Sequence, residues 1–131
     1  MSFPGPPQYR VLIVDDHASV RQGVRRLLSD YFQQGEQAEA SSGDEAIEMV
    51  RNGRWDVVIL DVNMPGTSGL AALRAMRELD PSLPVVMFSM FPTEQLALRF
   101  MAAGASAYIN KGGSPEELVN AVRSAVHRRT A

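Results

Sequence analysis

A chain of 131 residues, 45% hydrophobic and 21% charged, has the size and make-up of one globular domain with a proper core. Its net charge of -2 argues against nonspecific binding of nucleic acid or anionic membrane by this segment. Cysteine is absent, excluding disulfides and thiolate metal sites, and no apolar stretch nears the ~20 residues of a membrane helix, so a cytoplasmic location is expected. Lys111 is the single lysine among 13 basic residues. Either a coding bias favours arginine, or position 111 requires an ammonium.

In chain order, residues 1–8 carry Pro4, Gly5, Pro6 and Pro7 without apolar periodicity and read as a flexible leader. Tyr9 to Val14 is a first apolar run, ending on Asp15-Asp16-His17. Val20, Val24, Leu27, Leu28 and Tyr31 then recur at helical spacing. Gly35 interrupts, and Gln37 to Ala40 reads as a weak, edge-like strand. Ser42-Gly43-Asp44-Glu45 marks a helix start with acids in its first turn, Ile47 and Val50 face inward, and Gly53 is a stop.

Val57 to Leu60 is an aliphatic run rich in β-branched residues, broken by Asp61 and then by Pro65-Gly66. That pattern predicts a strand buried on both faces. Leu70, Leu73 and Met76 mark a third helix ending before Pro81, and Pro84 to Phe88 is a fourth strand closed by Ser89. Thr93 to Ala103 is a fourth helix, stopped by Gly104 and unusually apolar. It is either deeply packed or carries an exposed apolar docking face. Ala107 to Asn110 is a fifth strand ending at Lys111, and Ser114-Pro115-Glu116-Glu117 opens a last helix striped by Leu118, Val122 and Ala125.

Five β-α alternations imply parallel pairing through right-handed crossovers, with helices on both faces. Five units are too few for a barrel of eight, which leaves an open, doubly wound α/β sheet. In such a sheet the strand ends share one edge, where ligand chemistry collects. Asp15, Asp16, Asp61, Ser89 and Lys111 all fall there. Neighbouring carboxylates repel and raise one another's pKa unless a hard cation sits between them, and Mg²⁺ suits oxygen ligands. An ammonium and a hydroxyl can meet the oxygens of a transferred phosphoryl group. The set describes a carboxylate nucleophile that forms an acyl phosphate.

Val11-Leu12-Ile13-Val14-Asp15-Asp16-His17, Asp61-Val62-Asn63-Met64-Pro65-Gly66, Ser89-Met90 and Gly104-Ala105-Ser106-Ala107-Tyr108-Ile109-Asn110-Lys111 resemble the receiver domain of two-component response regulators. The likeness is nearest to the branch with a LuxR-type helix-turn-helix output domain. It spans residues 9–127, leaving 128–131 as a tail or the start of a linker. The resemblance implies a (βα)5, flavodoxin-like fold with strand order 2-1-3-4-5. It also implies that Asp61 takes phosphate from a sensor histidine kinase. Asp16, Asp61 and the backbone carbonyl of Asn63 would bind Mg²⁺, with Asp15 acting through water. Lys111 and Ser89 would contact the phosphoryl group, and Ser89 with Tyr108 would form the switch.

By the same likeness the domain catalyses only its own phosphorylation and dephosphorylation, and controls an output such as transcription. It would form a homodimer on phosphorylation and reach DNA only through an output domain this chain lacks. His17 is expected to start the first helix rather than bind metal. Met90 and Phe91 are bulky where the family often carries a small residue, and are expected to slow water's access to the acyl phosphate. Two alternatives stand beside this reading. One is a Mg²⁺-dependent aspartyl phosphatase, against which Asn63 stands where such enzymes carry a second acid. The other is an interaction module that takes no phosphate.

Overall fold

A computed structural model describes residues 9–32, 35–90 and 93–130. Strands and helices alternate as β1 (Tyr9–Val14), α1 (Ala18–Tyr31), β2 (Gly35–Ala40), α2 (Gly43–Asn52), β3 (Val57–Asp61), α3 (Gly69–Leu79), β4 (Val85–Ser89), α4 (Glu94–Ala102), β5 (Ala107–Asn110) and α5 (Pro115–Thr130). All the strands pair in parallel, in the order β2-β1-β3-β4-β5. The expected strand order is the one observed.

Alternation along the strands splits the core in two, because successive side chains leave a strand on opposite faces. Leu12, Val14, Val58, Leu60, Val85 and Met87 pack under α2, α3 and α4 through residues such as Val50, Leu73, Met76 and Phe100. Val11, Ile13, Val57, Ile59 and Val86 pack under α1 and α5 against Val24, Leu28, Leu118 and Val122. Truncating a fully buried member such as Leu73 to alanine costs about 2–5 kcal/mol.

Side-chain oxygens cap three of the helix starts, the one at Ser42 as read from the sequence. Ser42 Oγ accepts from Glu45 N, Ser68 Oγ from Ala71 N and Thr93 Oγ1 from Leu96 N, each at 3.2 Å. Each bond satisfies one of the amide donors that a first helical turn leaves unpaired. Gly104, at φ +105, supplies the left-handed turn that ends α4. Of the two readings of α4, the exposed one fits better. Only Phe100 on it is buried, while Leu98 is 66% and Met101 44% exposed.

Two boundaries differ from expectation. β2 starts at Gly35 rather than Gln37, because backbone pairing with β1 runs the whole length from Tyr9 opposite Gly35 to Val14 opposite Ala40. Its polar Glu36, Gln37 and Glu39 hid that from an apolar pattern. Glu39 is held from α1 by Arg21 and Arg25, each at 2.8 Å. α5 continues to Thr130, so the expected limit at 127 falls inside the helix. Arg129 explains the extension: its Nε donates to the carbonyl of Trp55 at 3.2 Å, and its terminal nitrogens bond the carboxylate of Asp80. The leader, residues 1–8, lies outside the described residues.

Candidate functional site: the carboxyl edge of the sheet

Alternation places the three central residues of the site. Asp15 continues the row Val11, Ile13; Asp61 continues Val57, Ile59; Lys111 continues Ala107, Ile109. All three rows belong to the face covered by α1 and α5. Since Ile13 lies opposite Ile59, Asp15 and Asp61 emerge side by side, two residues further on. Lys111 reaches them across β4, its N–H bonded to the carbonyl of Ser89 at 2.8 Å.

The side chains meet. Lys111 Nζ donates to Asp15 Oδ2 at 2.7 Å and to Asp61 Oδ1 at 3.1 Å. All three are more than nine-tenths buried, with side chains 7%, 2% and 7% exposed for Lys111, Asp15 and Asp61. Burial pushes the Asp61 carboxyl above its ordinary range, opposed by the Lys111 hydrogen bond and assisted by the charge on Asp15. Burial works against the Lys111 ammonium, but the bonds to Asp15 and Asp61 outweigh it and raise its pKa. The pair thus favours a charged lysine beside an acid whose charge depends on it.

Asp16 and His17 complete the cluster. With Asp15 and Asp61, each offers a ligand atom within 4.8 Å of the others. Asp16 Oδ1 is buried without a hydrogen bond, the state in which a carboxylate oxygen calls for a cation. His17 Nδ1 stands 3.1 Å from that oxygen and 3.2 Å from Asp15 Oδ1. Its backbone N–H donates to Asp15 Oδ1 at 2.9 Å, and its carbonyl accepts from Val20 and Arg21 at the start of α1. The residue expected to start the helix does so, and it also lays its ring against the acids. The donor set, three carboxylates with His17 Nδ1 beside them, fits a hard divalent cation.

Ser89 is 1% exposed at the end of β4 and follows Val85 and Met87 toward the opposite face of the sheet, under α4. Tyr108 packs into the same core layer, its ring 5.8 Å from that of Phe100. The two sites expected to act as a switch therefore share one face of neighbouring strands. Asn63 is exposed in the loop after β3, and its backbone N–H bonds the Asp61 carboxylate. Met90 is 62% exposed, and Phe91 lies outside the described residues.

One contributor escaped sequence reading. Gly69 begins α3 with its N–H on the carbonyl of Val62 at 3.1 Å. A Cβ there would stand 2.6 Å from the carbonyl oxygen of Asp61 and 2.7 Å from that of Val62. Only glycine lets α3 start this close under the loop that carries Asp61. Its place just after Ser68, an N-cap residue type, was the available signal.

An open parallel sheet with three carboxylates and a buried lysine at its carboxyl edge is the arrangement of a receiver-type signalling domain. The chain belongs to the response regulator receiver domain family, which matches residues 11–123. It is 40% identical over 114 residues to the response regulator UvrY of Escherichia coli (strain K12), covering 87% of this chain and 52% of UvrY. With the response regulator GacA of Pseudomonas aeruginosa it shares 38% over 114 residues, 87% of this chain and 53% of GacA. The crystal structure of a LuxR-family two-component response regulator from Aurantimonas sp. SI85-9A1 superposes with a TM-score of 0.86 at 34% identity. That match covers 92% of this chain and 86% of the other. The chain spans about half the length of the curated relatives it matches. Among the described residues no helix is long and apolar enough to cross a membrane.

Proposed function

We propose that Asp61 is the phosphoacceptor of this receiver domain, taking its phosphoryl group from a phosphohistidine on a sensor histidine kinase. The observation that carries the reading is the buried lysine bridge between Asp15 and Asp61. An Asp61 oxygen attacks phosphorus as the P–N bond breaks and its electron pair returns to the imidazole, leaving an aspartyl phosphate. Lys111 holds the attacking carboxylate in place and keeps a positive charge where phosphoryl oxygens arrive. Asp16, Asp61 and the backbone carbonyl of Asn63 would hold Mg²⁺, with Asp15 acting through water; bound there, the ion neutralises charge on the transferred group. After transfer Ser89 turns inward from its face under α4 to bond a phosphoryl oxygen, and Tyr108, on the same face, follows it.

The domain catalyses only its own phosphorylation and dephosphorylation, in the cytoplasm. It serves as the receiving half of a longer transcription regulator that pairs on phosphorylation and contacts DNA through a separate output domain. Intact mass after incubation with acetyl phosphate and Mg²⁺ tests the acceptor. The native chain should gain one phosphoryl group and Asp61→Asn none; equal gain in both, or none in the native chain, would refute it.

A further inference from the structure

A second charged cavity lies at the opposite, amino edge of the sheet. It has a volume of about 300 Å³ and is walled by Arg54, Arg77, Arg128 and Arg129 with Ser82 and Ser106. These residues come from the approach to β3, the end of α3, the turns before β4 and β5, and the last turn of α5. They are far apart in the chain, so the fold itself gathers the guanidiniums.

Their charges are unevenly met. Arg129 has a side chain 4% exposed and is neutralised by Asp80. Arg54, Arg77 and Arg128 have no ion pair among the described residues. Arg77 is the most telling. Among the described residues its buried Nε has no hydrogen-bond partner, and its terminal nitrogens reach only the carbonyls of Gly104 and Asp80, each at 3.5 Å. Burial and the neighbouring Arg129 charge both weigh against that guanidinium, with Asp80 alone in its favour. A half-buried cation without an ion pair is costly, and so is a buried N–H without an acceptor. Both costs vanish when an anion enters.

We infer that this cavity binds a small oligophosphate, its oxygens shared among Arg54, Arg77 and Arg128 and the serine hydroxyls beside them. Guanidinium forks match phosphate oxygens two at a time, which a single carboxylate could not supply for three of them. The volume sits at the lower end of the about 300–1,000 Å³ typical of ligand pockets, suited to a compact anion. The carbonyl ends of α3 and α5 lie nearby and disfavour negative charge. The unmet Nε of Arg77, with the solvent-facing guanidiniums of Arg54 and Arg128 beside it, outweighs them.

The test is an NMR titration of the chain with inorganic pyrophosphate in EDTA, so that no metal recruits the ligand to Asp61. Amides of Leu83, Gly104 and Ser106 should shift saturably, while those of His17, Asn63 and Lys111 stay in place. Arg54 and Arg128 are exposed, so an R54Q/R128Q variant should keep the native spectrum elsewhere and bind at least tenfold more weakly. ADP forms a second arm. Tighter binding than pyrophosphate would name a nucleotide as the source and weaker binding a free phosphate, either of which supports the site. Unsaturable shifts, shifts confined to the Asp61 edge, unchanged affinity in R54Q/R128Q, or preference for a glutamate-rich peptide would overturn it.

Discussion

Replacing Lys111 with methionine tests the counter-ion role of the lysine directly. The substitution keeps much of the aliphatic stem and removes the ammonium that lies 2.7 Å from Asp15 and 3.1 Å from Asp61. Two carboxylates, 2% and 7% exposed, then share a desolvated site without a cation. Removing one side of a buried ion pair costs about 3–5 kcal/mol. Protonation of Asp61, whose pKa burial already raises, offers a partial escape from that cost. For a domain of this size about 3 kcal/mol lowers the melting midpoint by on the order of 10 °C. Urea and thermal unfolding at neutral pH should show that loss in EDTA. Saturating Mg²⁺ should recover part of it, since a divalent ion among the acids supplies the missing charge. A Lys111→Met chain as stable as the native one in EDTA would refute the bridge as a structural element. A deficit that Mg²⁺ leaves untouched would refute the acids as a cation site.

Two further outcomes are expected. Tyr9 is buried and donates to the carbonyl of Phe32 at 3.0 Å, and burial pushes its phenol up to about 12. Its folded pKa thus exceeds an unfolded value of about 10. The stability it contributes is present below pH ~10 and lost as pH rises toward ~12, on the order of 3 kcal/mol at most. Tyr9→Phe should lack that alkaline slope while losing about 1 kcal/mol at neutral pH for the hydrogen bond; an unchanged slope between the two chains in alkaline urea melts would contradict it. Gly69→Ala forces a methyl against the carbonyls of Asp61 and Val62 and should cost about 1–3 kcal/mol with slower phosphorylation from acetyl phosphate. Native stability and native rate together would show that the loop yields and does not depend on Gly69.

The placement of the candidate site residues was legible because apolar runs announce buried strands, and Asp15, Asp61, Ser89 and Lys111 each terminate one. Their partition was also within reach. Counting by twos from the last buried residue sends Asp15, Asp61 and Lys111 to one face and Ser89 with Tyr108 to the other, as observed. What stayed hidden depends on contacts between distant positions. β2 begins at Gly35 through backbone pairing that polar side chains do not reveal. The last turn of α5 holds because Arg129 finds Asp80, 49 residues earlier. Nothing local marks either partner. The closeness of Gly69 to Asp61 is likewise a property of how α3 returns under its strand. Local pattern encodes which face a side chain takes; it does not encode which remote group will meet it.

The chain's uneven use of basic residues now has a physical reading. Arginines serve where a planar fork can grip a carboxylate or carbonyl at several points, as Arg21 and Arg25 do on Glu39 and Arg129 does on Asp80. The one lysine occupies the position where the requirement is different. An ammonium has three donors, and Lys111 directs two of them to Asp15 and Asp61. One remains, which the proposed phosphoryl transfer would use. A guanidinium in the same buried place would bring five donors to the same two acids, leaving more of them unsatisfied. Of the two explanations for a solitary lysine, burial and donor count favour a position that requires an ammonium.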